Sequence, residues 1–531
     1  MSYKRKLGVA NMGTNGDDKK LTVIRNDFSE GINNRQDADS IRDNQAETLV
    51  NVDIGVPGQS RKRPGITSID DTGYDRGIDL FGFEPDGGTS KLMAIEISGT
   101  ATALLTSTGL TFAPISGTAN MVDDDYVMSM QGFKSGGDGH VMLYGSDTTN
   151  WHEVKQNGTV TDLGNTQASG TDDPPRSSVA TMFNGRMWVL KDNMLSYSDA
   201  YPGDFSGAFD TQSTGNVYKM PVGEERALVG IREKGLLVFG KDEVRYLIPS
   251  NTPAATDENG LLVTQGCVAN KSATMVGDDV YYLAKDGVRG VFKTQFDTLQ
   301  LKTSLPVSYA LKTEYESINW AHAQKASGVY FDNKYFLALP VDSSTYNNEV
   351  WVYYPATNGW MVITGWNVAD WTTIVINGEN RLYASDSQSG DVYRAWYGSD
   401  DNGADFTYTE KGRKEEIGKS LQEKVGGEVI VRAKATGEET IKVYVSLDES
   451  AYEKLGELVT VDRSVAFDAW TLPMLFQPAG IYTKKFHLDS YGEWYQAQIK
   501  LEHEGTAGDD LIILQRGIVT LLNEYTNEED E

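Results

Sequence analysis

From about residue 66 to residue 400 the apolar positions come in short bursts separated by polar turns. "KLMAIEI", "VMLYGS", "RMWVLK", "GLLVFGK", "DVYYLAK", "EVWVYYP" and "RLYASD" each set β-branched or aromatic residues between turn-forming ones, which is the pattern of strands. Helical periodicity is nearly missing. "SYALKTEYESINW" (308–320) is the one clear amphipathic helix expected after residue 66. Five phrases share a grammar: "MFNGRMWVLKDNMLSYSD", "VGIREKGLLVFGKDEVRYLIP", "TMVGDDVYYLAKDGVRGVFK", "VYFDNKYFLALP" and "TIVINGENRLYASDSQSGDVYRA". An apolar strand leads to a turn with Asp, Asn or Gly, and a second apolar strand with an aromatic follows. This is a β-meander, the unit of a propeller blade. Blades repeat every 40–50 residues, so the stretch predicts a β-propeller of about six to eight blades with irregular insertions.

The flanks read differently. Residues 1–24 are polar and predict a flexible arm. Residues 25–65 predict a docking segment that leads into the propeller. Within it "SIRDNQAETLVN" predicts a short helix capped by Asp39 or Ser40, with Ile41, Ala46, Leu49 and Val50 on one face. Residues 401–420 are polar and charged and read as a linker. Residues 421–523 alternate strongly, as in "EVIVRAKATGEETIKVYVSLD" and "LIILQRGIVTLL", and predict an antiparallel β-sandwich. The acidic tail, 524–531, reads as frayed. The expected class is all-β, a propeller at 66–400 plus a C-terminal sandwich.

Chemistry changes this picture little. The 531 residues hold 76 acidic and 48 basic side chains, a net charge of −28. That opposes tight wrapping of nucleic acid through its phosphates. It permits an acidic wall past which DNA slides, with Asp123–Asp125, Asp400, Asp401 and Asp405 as candidate lining groups. Cys267 is the single cysteine and reads as a small buried residue. No run of 18 apolar residues marks a membrane span. The five histidines show no metal-ligand spacing, and no P-loop, GxSxG or GxGxxG motif is present. No cofactor, metal or catalytic residue is assigned, and no enzymatic activity is expected. Trp151 and Trp360 each follow a polar turn, loosely like the Asp-box of sialidase blades, and are expected to pack between blades.

The segment "DFSEGINNRQDADSIRDNQAETLVNVDIGVPGQSRKRPG" resembles the start of bacteriophage tail proteins, which tend to read F-x-G-G-[IL]-N-x-R, then I-x-x-x-[QE]-A, N-V-x and K-R-P-G. The matching residues are Phe28, Gly31, Ile32, Asn33, Arg35, Ile41, Gln45, Ala46, Asn51, Val52, Lys62, Arg63, Pro64 and Gly65. Glu30 stands where the family often has Gly. "MFNGRMWVLKDNMLSYSDAYPGDF" and "GENRLYASDSQSGDVYR" are also similar to phrases of that family. The resemblance is to the tail nozzle and hub proteins of short-tailed phages. It implies a structural virion protein, made in the host cytoplasm and placed in the tail as a ring of six copies. Such a ring retains packaged double-stranded DNA and lets it pass on ejection. Its partners would be further copies of itself, the adaptor or portal-side ring and tail fibres. Phe28, Asn33, Arg35, Arg61, Lys62 and Arg63 are the expected interaction residues. The basic run would meet an acidic surface on the adjacent ring or fix the turn at Pro64. Two other classes stand beside this one: a receptor- or glycan-binding tail module, with Trp470, Trp494 and Tyr495 as an apolar platform, and a propeller glycan hydrolase, which needs two suitably spaced carboxylates.

Overall fold

The computed structural model describes residues 20–99, 101–108, 111–115, 126–136, 139–167, 172–210, 217–232, 235–254, 257–299, 304–418, 423–460, 480–505 and 509–522. Among the described residues the regular structure is nearly all strand, and the chain divides into two compact units. One is residues 64–398; the other combines the segments on either side of it, up to Arg63 and from Ser399 onward.

The middle unit is a β-propeller of seven antiparallel meanders. Five are separate four-stranded sheets, beginning at Arg76, Val127, Ala180, Glu225 and Val368. Between the last two of these come a three-stranded sheet (Thr274–Val276, Asp279–Ala284, Gly287–Gly290) and a four-stranded meander (Ser327–Thr364). The first strand of each meander lies innermost, and the strand Val368–Ile376 returns beside Arg76–Phe83 to close the circle. Strand pairing brings the two ends of the unit together as well. Ile66–Asp71, the first strand of the unit in sequence, pairs with Asp391–Ala395 as the outer strand of the last meander.

Alternating side chains of neighbouring meanders supply the core. Ile78, Met93 and Ile95 pack with Val127, Met142 and Tyr144 between the first and second. Trp188, Leu190 and Tyr197 meet Leu228, Leu236 and Val238 between the third and fourth. Leu80, Leu92 and Ala94 meet Ile374, Tyr383 and Val392 across the join. Two-residue hairpins connect the strands through left-handed pairs: Asn184-Gly185, Asp192-Asn193, Asp332-Asn333 and Asn377-Gly378 all have positive φ. That is the backbone twist a tight hairpin demands, and Asn, Asp and Gly tolerate it best.

The second unit is a sandwich of two antiparallel sheets. Lys424–Ala435 and Leu511–Leu522 are the long strands of one, joined by Lys20–Arg25, Val52–Asp53, Ser60–Lys62, Gly480–His487 and Glu493–Trp494. Thr48–Val50, Tyr408–Glu415, Ala497–Gly505, Glu439–Leu447 and Glu453–Val459 belong to the other. Val429, Val431 and Ala433 are buried on one side, and Ile441, Val443 and Val445 on the other.

Several local expectations are corrected. The sandwich takes strands from residues 20–62 as well as from the C-terminal region, so the docking segment is woven into it. The 401–420 stretch holds the strand Tyr408–Glu415 rather than a linker. No helix forms at 40–50. The chain there makes turns and then the short strand Thr48–Val50. A side chain takes a backbone bond that a helix would have used: Gln45 Oε1 accepts from Arg42 N at 3.1 Å, and the same oxygen accepts from Asn33 Nδ2 at 3.0 Å. Ile41, Ala46 and Leu49 are buried nonetheless. The expected helix at 308–320 is reduced to Lys312–Ser317. An unexpected one runs from Val291 to Leu299. Its first-turn N–H groups at Phe292 and Lys293 donate to the Asp279 carboxylate at 2.8 and 3.1 Å. That cap sits too far back in the chain for a local pattern to show it. Residues 1–19 of the expected arm and the tail 524–531 lie outside the described residues.

Candidate functional site

Two places gather polar side chains where burial makes their arrangement count. The first is the resemblance motif itself. Phe28, Ile32, Asn33, Ile41, Ala46, Asn51 and Val52 are buried, as are Lys62 and Arg63. Gly31 and Ala46 tie the segment into a loop, with Ala46 N donating to Gly31 O at 3.0 Å and Asn33 N to Ala46 O at 2.8 Å. Arg63, fully buried at its side chain, grips the Asp401 carboxylate with two nitrogens at 2.9 and 2.7 Å. Its Nε donates to Asn51 Oδ1 at 2.8 Å, and its guanidinium lies 3.8 Å from the Phe406 ring centre. Burial pulls Arg63 below its ordinary pKa, against the pull of Asp401. Lys62 Nζ meets Asp405 at 2.8 Å. Phe28 caps the guanidinium of Arg516 at 3.7 Å, and Arg516 in turn holds the buried Glu410 at 2.6 Å.

Of the six expected interaction residues, then, Phe28, Asn33, Lys62 and Arg63 are turned into their own unit and spent there. The acidic surface that the basic run meets is the pair Asp401 and Asp405 of the same chain. Arg61 keeps a partly exposed side chain, 3.8 Å from Asp53, and Arg35 is half-buried. Asp401 and Asp405 are accordingly not free wall charges, and Asp400 accepts from Gly403 N at 2.6 Å within its own turn. Asp123–Asp125 and Trp470 lie outside the described residues. Trp494 is buried and Tyr495 is exposed, so the two share no platform. Beside the motif, the strand Lys20–Arg25 is paired with Arg516–Leu521 along one side, and among the described residues no strand pairs its other side. Ile24 is exposed on it.

The second place is the propeller axis. Lys271, in the short turn Asn270–Ser272 before the fifth meander, reaches Asp79 on the first at 2.5 Å and Asp370 on the seventh at 2.8 Å. The fifth meander is neighbour to neither, so these ion pairs cross the centre of the ring. Ser129 Oγ donates to Asp79, and Ser327 Oγ donates to Asp370 at 2.7 Å. Burial raises Asp79 to about 6, partly offset by Lys271 and reinforced by Asp370. Burial also opposes the charge on Lys271, but Asp370 and Asp79 together hold it above its ordinary value. The group is an ionic plug.

Near this plug a cavity of about 740 Å³ opens, lined by Arg226, Lys241, Lys285, Asp147, Tyr315 and Trp320 among others, with Cys267 at its floor. Cys267 is buried in the core between the fourth and fifth meanders, and burial pushes its thiol up to about 11. Its side chain packs in that core. Trp151 and Trp360 are structural too. Trp151 sits between the second and third meanders and donates to Pro175 O at 2.9 Å; Trp360 donates to Val307 O at 3.0 Å.

Comparison with known proteins adds little. No family model matches the chain, and no curated protein does. Among solved structures, the extracellular domain of a one-component system from B. thetaiotaomicron aligns at TM-score 0.37 and 10% identity. The alignment covers 63% of this chain and 40% of that one, so the chain spans about two fifths of the length of that neighbour. An exo-β-1,3-galactanase from Phanerochaete chrysosporium aligns at TM-score 0.26 and 11% identity, covering 86% of this chain and 100% of that one. Similarity this low assigns no role to any residue.

The motif residues were found by resemblance, whereas the axial plug and the cavity were missed. Lys271, Asp79 and Asp370 are separated by 192 and 99 positions, and no spacing rule links them. The one available signal was an acid inside each of two otherwise apolar inner strands, "GIDLF" and "VADWT".

Proposed function

We propose that the chain is a structural subunit of a ring in the tail of a short-tailed phage, a nozzle or hub that holds DNA and lets it pass. One observation carries the reading. The residues that bear the resemblance are the ones that shape the sandwich unit: Phe28 on Arg516, Asn33 in its loop, Asn51 on Arg63, and Arg63 on Asp401. A motif match at buried positions that shape a local fold supports a common architecture. Matches scattered over exposed positions would carry no such weight. The ionic plug refines the reading. A double helix is far too wide to thread a propeller whose axis is crossed by Lys271 and its two aspartates, so the DNA path lies between copies of the chain. The side of Lys20–Arg25 that no strand pairs among the described residues offers a contact between copies, since a strand edge of this kind accepts a strand from a neighbour. Electron microscopy and mass measurement of the purified full-length chain test this. A closed ring of six copies with a central opening is expected, and it is lost in Ile24→Asp. A monomer at all concentrations, or a ring indifferent to that substitution, defeats the corresponding part of the proposal. A second reading, binding of a glycan, is favoured by the aromatic-edged cavity of the propeller.

A further inference from the structure

We propose that the cavity of about 740 Å³ at the propeller mouth is a binding site for an acidic saccharide, one whose sugar rings carry carboxylates. The inference goes beyond the ring reading and does not depend on it. Size is the first ground: ligand sites run to roughly 300–1,000 Å³. Charge is the second. In a chain of net charge −28, three cations, Arg226, Lys241 and Lys285, line this cavity against the single carboxylate Asp147. Two nearby acids steady these cations. Glu224 holds Arg226 at 2.5 Å and Lys241 at 2.6 Å, and Asp242 holds Lys285 at 2.5 Å. One buried donor is left over on Arg226: its Nε has no hydrogen-bond partner among the described residues. A buried donor without a partner costs free energy until something accepts from it, and a carboxylate oxygen is the strongest acceptor on offer.

Shape is the third ground. Trp320 is partly exposed at the cavity wall, with its ring centre 5.5 Å from that of Tyr315 and the planes at 60°. Tyr315 is fixed by its hydroxyl, which donates to Lys285 O at 3.1 Å. The pair gives a rigid, amphipathic surface of the kind on which the C–H face of a pyranose lies. Nucleotides also stack and carry negative charge. A polyphosphate packs its charges closer together than a uronate chain, which has one carboxylate per sugar ring, and the acids already paired with these cations leave too little positive charge to offset it. A sugar carboxylate asks for a charged donor, which Arg226 Nε supplies beside the Nη2 that Glu224 already holds.

Isothermal titration of the full chain decides the matter, with oligogalacturonate as the probe, neutral maltooligosaccharide, oligothymidylate and inorganic sulfate as comparators, and Trp320→Ala and Arg226→Gln as variants. Oligogalacturonate is expected to bind and to beat all three comparators. Each variant is expected to weaken it by about tenfold or more while the melting profile stays cooperative. Trp320→Ala alters a partly exposed position, so the test survives even if Arg226→Gln misfolds. The proposal is overturned if oligogalacturonate fails to bind, if neutral sugar or sulfate binds as tightly, if oligothymidylate binds better, or if Trp320→Ala leaves the affinity unchanged.

Discussion

Replacing Lys271 by methionine removes one charge from the axis and leaves Asp79 and Asp370 facing each other without it. The volume is nearly kept, so the change is electrostatic. Lys271 Nζ lies 2.5 Å from one carboxylate and 2.8 Å from the other, and all three side chains are largely buried. Breaking a buried pair from one side costs about 3–5 kcal/mol, because a charge is left without its partner. Unfolding entropy near the midpoint is about 2.1 cal/mol/K per residue. For a propeller spanning residues 64–398 that makes roughly 0.7 kcal/mol/K, so the loss should lower its midpoint by about 4–7 °C at pH 7.5.

The pH dependence sharpens the test. Asp79 has a folded pKa raised to about 6, mainly by burial. A carboxylate with a raised folded pKa destabilises the fold as pH rises from its unfolded value through the folded one. Without Lys271 the two aspartates repel, and that window moves further up. At pH 5 they can share a proton, and the deficit of the variant should shrink. Differential scanning calorimetry at pH 5 and pH 7.5 reads both numbers. An equal deficit at the two pH values, or none at pH 7.5, would refute the account of the axis as an ionic plug.

Other consequences are as direct. Arg63→Met should destabilise the sandwich unit by about 3–5 kcal/mol, because Asp401 and Asn51 lose a buried partner; urea unfolding followed by circular dichroism measures it. Glu96, raised to about 8 mainly by burial, makes the propeller less stable as pH climbs from about 4.5 toward 8. Glu96→Gln should flatten that slope, which melts at pH 5 and pH 9 will show. Trp151→Ala should cost about 3–5 kcal/mol by opening a hole between the second and third meanders, with a lowered midpoint by calorimetry.

Strand grammar along residues 66–400 was legible because meander blades are local: each pairs with the segment just before or after it, through turns that need Asn, Asp or Gly. Phrases such as "MFNGRMWVLKDN" therefore announce both strand and hairpin. The sandwich was only half legible. Its C-terminal strands alternate, but Thr48–Val50 pairs with Thr409–Lys411, and Ser60–Arg61 with Ile512–Ile513, across most of the chain length. No periodicity reveals a partner that distant. Polar density misled at two points. "SIRDNQAETLVN" has a helical face, yet its Asn and Gln side chains bond the backbone instead. "DDNGADFTYTEKG" looks solvated, yet Asp401 and Asp405 are where Arg63 and Lys62 are neutralised. Charges that answer charges elsewhere in the fold cannot be told, in sequence, from charges that answer water.

Gly65 and Gly398 stand together at the two crossings of the propeller: Gly65 N donates to Gly398 O at 3.1 Å, and Tyr397 N to Gly65 O at 3.0 Å. Entry and exit of the whole disc are thus one doorway. A module whose ends meet can be lifted out, or exchanged for another of different size, without moving the flanking chain that receives it. The sandwich can stay constant in a lineage while the inserted propeller is replaced, so the two units are free to diverge on separate clocks.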